Sequence, residues 1–478
     1  MKAVGAVDLG AASGRVIVGR VGRDRIDLTE VHRFPNDPVN LPDGLHWDLP
    51  RLYHDVLAGL RSAGREAGSL ISIGVDSWAI DFALFDAGGS LVGIPFHYRD
   101  ERHASGVAPV HEAVEPPELY DRTGLQFLPF TTIYQLTALR STPSFAAARQ
   151  LLLIPDSIGF WLTGATATEL TNASTTGLLD VRTHGWARDL IGRIGLPQEI
   201  LGPIHGPGEI LGPLRPEVAS DIGLPGSVVV TLVGSHDTAS AVLSVPAAND
   251  RFAYISLGTW ALIGLELDAP ILTEASRAAN FTNEGGVDGT IRFLRNEMGL
   301  WMLQECLRTW EQAGTPEDLA TLLSAAAEGP DGPTVDPSAP EFFAPGDMPG
   351  RIGEACRSSD VAVPPSRPAL VRCVLDSLAE TYARTLREAC ELAGHDVDRI
   401  HLVGGGARNE LLCQLIADRA GMTVVAGPVE ATAMGNVLVQ ARAHGLLEGD
   451  RWALRQIVAG SEMVRTYEPR PTHTHARA

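Results

Sequence analysis

Cysteine is scarce in this chain, and basic residues are outnumbered. The five cysteines (Cys306, Cys356, Cys373, Cys390, Cys413) are scattered and show no CxxC spacing. That pattern argues against a disulfide framework or a zinc cluster and points to reduced thiols in a cytoplasmic protein. Cys356 and Cys373 alone are placed to meet across a short loop. Lys plus Arg number 38 against 58 for Asp plus Glu, giving a net charge of −20. With no basic stripe, neither nucleic acid nor an acidic membrane surface is an expected partner. No uncharged apolar run reaches the roughly 18 residues a membrane span needs. The N-terminus places Lys2 before apolar residues, but Asp8 and Arg15 interrupt them as no signal peptide would.

What is present is alternation. Short β-branched runs ("KAVGAVDLG", "ISIGVDSWAIDFALFD", "SVVVTLVG", "FAYISLGTWALIGLEL", "RIHLVGGG") read as strands. Between them, "LPRLYHDVLAGLRSAGREAG", "NEMGLWMLQECLRTWEQAG" and "LVRCVLDSLAETYARTLREACELAG" repeat apolar residues at helical steps. The expected class is α/β. At 478 residues the chain needs more than one core. "AVDLGAASGRVIVGRV" and "YISLGTWALIGLEL" echo each other as strand, glycine turn and strand, each turn being too short for a helical crossover. Two β-hairpins opening two related halves follow. The expected division is 1–245, 246–458 and a tail at 459–478, where the histidines of "THTHARA" read as solvated.

Several stretches could carry chemistry. In "DLGAASGRV" a strand delivers Asp8, and Gly10, Ala11, Ala12, Ser13 and Gly14 leave backbone N–H groups open to an anion, with Arg15 adding positive charge. Asp8 near phosphates is useful only with a divalent cation between them. A plain hairpin turn explains the same residues equally well. "ISLGTW" repeats the feature with Gly258 and Thr259, and "LVGGGARNE" runs from a strand through Gly404, Gly405 and Gly406 into a helix. The dinucleotide fingerprint is incomplete there, because no acidic strand end follows. In "GSHDTASA", Asp237 reads first as a helix N-cap. Its chemical reading is a general base kept ionised by the helix N-terminus. Alternation along "GVDSWAIDF" puts Asp76 and Trp78 on one strand face. "HYRDERH" reads as a solvated loop, and "TGLQFLPFTTIYQL" and "ELTNASTTGLLD" mix hydroxyls, amides and aromatics in a manner suited to polyols.

In order, "AVDLGAASGRV", "IGVDSWAIDF", "YRDER", "GLQFLPFTTIYQL", "LLIPDSIGFWLTG", "TNASTTGLLD", "GSHDTASAV", "SLGTW", "NEGG", "MGLWMLQ", "LVGGGARN" and "GPVEATAMGN" resemble the FGGY carbohydrate kinases, over about residues 3–460. The resemblance implies an actin-like ATPase fold of ribonuclease-H-like topology, with two related domains around a deep cleft. It also implies transfer of the ATP γ-phosphoryl group to the 1-hydroxyl of L-rhamnulose with Mg²⁺, by a monomer or homodimer. By the same resemblance Asp237 is the base, and Ala79, His236, Asp237 and Thr238 touch the sugar. Ala11, Ala12, Ser13, Gly14, Arg15, Thr259, Asn296, Gln304 and Gly405 bind the nucleotide, and Asp8 holds the metal through water. The family often has glycine where this chain has Ala79. That leaves L-fuculose or L-xylulose as alternative substrates, and an actin-like nucleotide switch as the alternative outside kinases.

Overall fold

The computed structural model describes residues 1–461 and 463–470. The chain forms two compact units. The first is Met1–Ala248 with Glu266–Phe293 and Ala431–Glu462; the second is Asn249–Leu265 with Leu294–Glu430 and the described residues from Met463 onward. His473 and His475 lie outside the described residues. Among the described residues no helix is long and apolar enough to cross a membrane.

In the first unit β1 (Lys2–Leu9), β2 (Ser13–Val21) and β3 (Ile26–Pro35) form an antiparallel meander. Beyond it lie β4 (Ser72–Ser77), β5 (Ile210–Pro213) and β6 (Val229–Thr231), in the sheet order β5-β6-β4-β1-β2-β3. β1, β4 and β6 are parallel, so their carboxyl ends meet at one edge. β1 is buried along nearly its whole length because it is the middle strand of this sheet. The other large sheet contains β7 (Phe252–Leu257), β8 (Trp260–Leu267), β9 (Ile291–Met298), β10 (Arg399–Val403), β11 (Thr423–Ala426) and β12 (Arg465–Tyr467); most of it belongs to the second unit, but Glu266 and Leu267 of β8 and Ile291–Phe293 of β9, Arg292 included, belong to the first. These follow the order β9-β8-β7-β10-β11-β12, with an antiparallel β7–β8 hairpin and parallel β7, β10 and β11. Both hairpins expected from the sequence are therefore present. In each sheet the hairpin's first strand stands between its antiparallel partner and a parallel strand, so the sequence echo corresponds to a repeated topology.

The helices that matter below are α1 (Leu49–Ala67), α2 (Asp237–Leu243), α3 (Trp301–Gln312), α4 (Arg367–Ala393), α5 (Glu410–Ala420) and α6 (Ala431–Ala443). α1 follows its sequence signals closely. The Asp48 side chain accepts the Arg51 N–H, Gly68 ends the helix at φ 72°, and Leu49, Leu52, Val56, Leu60 and Ala63 are buried along one stripe. α6 returns to the first unit, where Met434, Val437 and Leu438 join a core with Val4, Ala6, Ile17 and Val233. Its Gly435 meets α2 so closely that a Cβ would fall 1.8 Å from the Ser240 carbonyl oxygen.

Two local readings are corrected. "ISIGVDSWAIDFALFD" is not one strand: β4 ends at Ser77, and the chain resumes as Phe82–Phe85 in a different sheet, paired with Gln150–Leu153. Trp78 therefore does not continue the strand face of Asp76. The break turns at Ile80, a β-branched residue held at φ 68°. It aims Asp81 into an aromatic cluster, where its carboxylate accepts hydrogen bonds from Trp47 Nε1 (2.5 Å), Trp78 Nε1 (3.0 Å), Gln135 Nε2 (2.9 Å) and the Tyr98 N–H (3.3 Å). Second, "HYRDERH" is not simply solvated, since His97 and His103 are buried behind this cluster.

Two outcomes follow from this packing. At an ordinary helix-interior site Gly→Ala stabilises by up to about 1 kcal/mol. Gly435→Ala is expected instead to destabilise by about 1–3 kcal/mol, read as a lowered denaturation midpoint, because backbone blocks the new methyl. For Asp81, burial raises the carboxyl from 3.8 to about 6 against the four donors. Its contribution is complete below the unfolded value and is lost as pH rises through the folded one. Stability of the native chain relative to Asp81→Asn should thus fall by roughly 2 kcal/mol between pH 4 and pH 7 in chemical denaturation.

Candidate active site

The parallel register places Asp8 directly opposite Asp76 at the ends of β1 and β4. Ser77, one residue on, pairs with His236, and the Ser77 N–H donates to the Ser235 carbonyl. Asp8 and Asp76 therefore stand side by side at the carboxyl ends of parallel strands, with Asp237 following the residue that pairs with Ser77. Open α/β sheets commonly bind ligands at such an edge.

Their electrostatics are crowded. Burial raises the Asp76 carboxyl well above the usual carboxylate range, and the charges of Asp8 and Asp237 push it further. The Asn436 amide, donating at 2.5 Å, and the Arg15 charge oppose that rise. Asp8 is ion-paired to Arg15. Lys2 is the only lysine in the chain, so cationic support at this edge comes from arginine.

Asp237 is the first residue of α2, and His236 holds the N-cap position without a side-chain capping bond. The expectation that Asp237 caps the helix is therefore corrected. Its carboxyl is raised above its ordinary value, first by burial and then by Asp8, with His236 and Thr238 opposing. Oδ1 accepts from Thr238 Oγ1 at 3.1 Å and lies 3.5 Å from His236 Nε2. Oδ2 accepts no hydrogen bond from the described residues, and the side chain keeps 30% of its surface open. One oxygen is anchored and the other is free to take a proton.

His236 is buried. Its Nδ1 lies 2.9 Å from Arg292 Nη2 and 3.3 Å from Glu284 Oε2, and its backbone N–H donates to Thr171 Oγ1. Glu169, also buried, anchors the preceding residue: its Oε2 accepts from the Ser235 N–H and Oγ and from the Thr171 N–H and Oγ1. None of Glu169, Glu284, Arg292 and Asn436 was expected at the site. "ELTNAS", "NEGG" and "AMGN" are visible as stretches, but only folding brings their polar side chains to the SHD segment.

The turn of Ala11, Ala12, Ser13 and Gly14 is held from behind. The Gly10 N–H donates to the Ser13 carbonyl, and Asn36 binds the Ala12 carbonyl through its N–H and the Gly10 carbonyl through its amide. Ala79 lies in the turn before Ile80, half-buried, its carbonyl taking the Asp81 N–H.

The remaining expected residues belong to the second unit. The Thr259 carbonyl, in the β7–β8 turn, accepts the N–H groups of Gly299 and Trp301, which tie this turn to the start of α3. A side chain at Gly299 would strike Gly258 and Thr259 carbonyl oxygens at 2.6 Å, so only glycine fits there. Asn296 lies at the end of β9, and Gln304 is exposed on the first turn of α3. The glycine run packs on the same turn: Gly404 at φ 86° comes close to the Leu257 carbonyl and Gly406 packs against the Leu257 side chain. Gly405 itself is exposed, with nothing within 4 Å of where its Cβ would be. Two bare-backbone turns thus lie side by side at the end of β7.

Comparison with known proteins matches this arrangement along the chain. The model of the N-terminal domain of the FGGY family of carbohydrate kinases matches residues 3–244, and that of the C-terminal domain matches 253–444. A rhamnulokinase of Bacteroides thetaiotaomicron is 39% identical over 466 residues, 97% of this chain and 95% of that protein. A rhamnulokinase of Pectobacterium carotovorum is 40% identical over 475 residues, 98% of this chain and 94% of that one. Among solved structures, a ligand-bound xylulose kinase from Lactobacillus acidophilus superposes with a TM-score of 0.80 at 19% identity, covering 98% of this chain and 94% of that chain. Plasmodium falciparum glycerol kinase with ADP gives 0.78 at 14%, with the same coverage. The expected α/β, actin-like two-domain fold is the one observed, and the chain belongs to the FGGY family of carbohydrate kinases, enzymes that use ATP to phosphorylate sugars.

Proposed function

We propose that this kinase transfers the γ-phosphoryl group of ATP to the 1-hydroxyl of L-rhamnulose, as a cytoplasmic enzyme of L-rhamnose catabolism, with Asp237 as general base. The observation that carries the catalytic part is the half-open Asp237 carboxylate, anchored at Oδ1 and free at Oδ2. Its raised pKa strengthens that oxygen as a proton acceptor once ionised. The attacking hydroxyl gives its proton to Oδ2 as its oxygen forms the new bond to the γ-phosphorus and the bond from that phosphorus to the β–γ bridging oxygen breaks, releasing ADP. Identity of 39–40% over nearly the full length to two rhamnulokinases supports the choice of sugar.

In this reading residues 1–245 carry sugar and base, with Ala79, His236 and Thr238 beside the sugar, and residues 246–458 carry the nucleotide. The nucleotide-binding residues in this reading are Ala11, Ala12, Ser13, Gly14, Arg15, Thr259, Asn296, Gln304 and Gly405. Ala79, where the family often has glycine, leaves L-fuculose or L-xylulose as the alternative ketoses.

Mg²⁺ takes hard oxygen ligands and usually keeps several waters, using one or two carboxylates. The residues present fit such an ion: Asp8 and Asp76 offer oxygens at one strand edge, and Asp76 Oδ1 is buried without a hydrogen-bond partner. Bound there, the ion would neutralise phosphate charge.

In an ADP-release assay over a ketose panel, L-rhamnulose should give the highest kcat/KM. Asp237→Asn should lower kcat by about 10²–10⁴-fold with little change in KM. Near-normal kcat in that variant would remove Asp237 from its role, and preference for another ketose would replace the substrate while leaving the base intact.

A further inference from the structure

We propose that Arg292, supported by Glu284, is a positioning residue that fixes the tautomer of His236, so that the imidazole presents Nε2–H to the Asp237 side of the site. The inference rests on the reading of Asp237 as base for its catalytic consequence, but its structural basis is independent of that reading.

The argument is one of donors and acceptors. A guanidinium donates and cannot accept. Arg292 Nη2 lies 2.9 Å from His236 Nδ1, so Nδ1 must carry the lone pair. A proton on Nδ1 would set two N–H donors against each other in a buried site, as either the other neutral tautomer or the imidazolium would. The ring's single proton therefore sits on Nε2, the nitrogen 3.5 Å from Asp237 Oδ1. One group pulls the other way: Glu284, from the strand Thr282–Gly285, lies 3.3 Å from Nδ1 and favours a proton there. Arg292 outweighs it, because Nη2 is nearer to Nδ1 at 2.9 Å and Nη1, 3.1 Å from the same carboxylate oxygen, offsets its charge. Asp237 and Thr238 come from α2, and Thr171 is occupied with the His236 backbone N–H.

Arg292 is itself held rigidly: it is fully buried on β9, and its Nε donates to the Gly285 carbonyl at 3.0 Å. A permanently charged residue is suited to this task because its donor character does not change with pH. The consequence concerns Asp237. A donor facing Oδ1, together with the Thr238 hydroxyl, keeps the negative charge and orientation of the carboxylate fixed while Oδ2 stays open. The opposite tautomer would turn a lone pair toward the carboxylate and repel it.

The test reads the tautomer directly. In the full-length protein labelled with ring-¹⁵N histidine, two-bond ¹H–¹⁵N spectra distinguish a protonated Nε2 from a protonated Nδ1. The His236 signals are assigned as those lost in His236→Gln. The native protein is expected to show Nε2–H with an unprotonated Nδ1. Arg292→Gln, whose amide oxygen accepts from Nδ1–H, should invert or mix that pattern and lower kcat by about tenfold to a hundredfold with KM for ATP unchanged. Arg292→Lys, which keeps a donor, should retain the pattern and recover part of kcat. A protonated Nδ1 in the native protein overturns the proposal, as does native kcat in a folded Arg292→Gln protein. If Arg292→Gln fails to fold, the native spectrum still decides. Absence of turnover with every ketose would reject the kinase assignment of Asp237 and leave the tautomer result standing.

Discussion

Crowding of negative charge at one sheet edge is the constraint from which most of the first unit follows. Asp8, Asp76 and the residue before Asp237 are brought together by parallel register and by backbone bonding around Ser77. Buried carboxylates repel one another and lose hydration, so each must find a partner or give up its charge. Asp8 finds Arg15, Asp76 finds Asn436, and Asp237 finds Thr238 and His236. The compensation is incomplete, which is why Asp76 and Asp237 remain raised. An edge left under-compensated in this way attracts cations.

The partners come from distant parts of the chain. Asn436 lies on α6, some 360 residues from Asp76. The close approach of α6 to α2 at Gly435 sets its placement, and Gln440 on the same helix face donates to the Gly5 carbonyl of β1. The helix that completes the aspartate edge is thus located by its core side chains and, toward α2, by close backbone contact. Buried polar side chains do similar work for the SHD segment. Glu169 binds Ser235, and Arg292 with Glu284 binds His236, so successive residues before Asp237 are fixed by different elements.

The aromatic cluster shows the same principle with a different balance. Four donors surround the Asp81 carboxylate, yet burial still lifts it to about 6. A left-handed Ile80 is tolerated because the break between β4 and Phe82–Phe85 requires the reversal that aims Asp81 inward. Strain of about 1–3 kcal/mol at such a residue persists only where its surroundings fix it. Here the Thr132 hydroxyl, donating to the Ile80 carbonyl at 2.6 Å, is part of that restraint.

The sequence by itself determined the element types, the two glycine hairpins and the repeated order of the halves, because these depend on local periodicity and turn chemistry. Motif order was enough to identify the family and to pick Asp8, Asp237 and the two bare-backbone turns. Local signals could not distinguish a helix N-cap from a first helical residue at 236–237, nor reveal the break at Ile80, since both depend on what packs behind them. Tertiary structure alone decided the burial that raises the Asp76 and Asp237 carboxyls, and the partners of His236. Burial and opposing charge arise from residues such as Arg292, Glu284 and Asn436, whose proximity no spacing in the chain encodes.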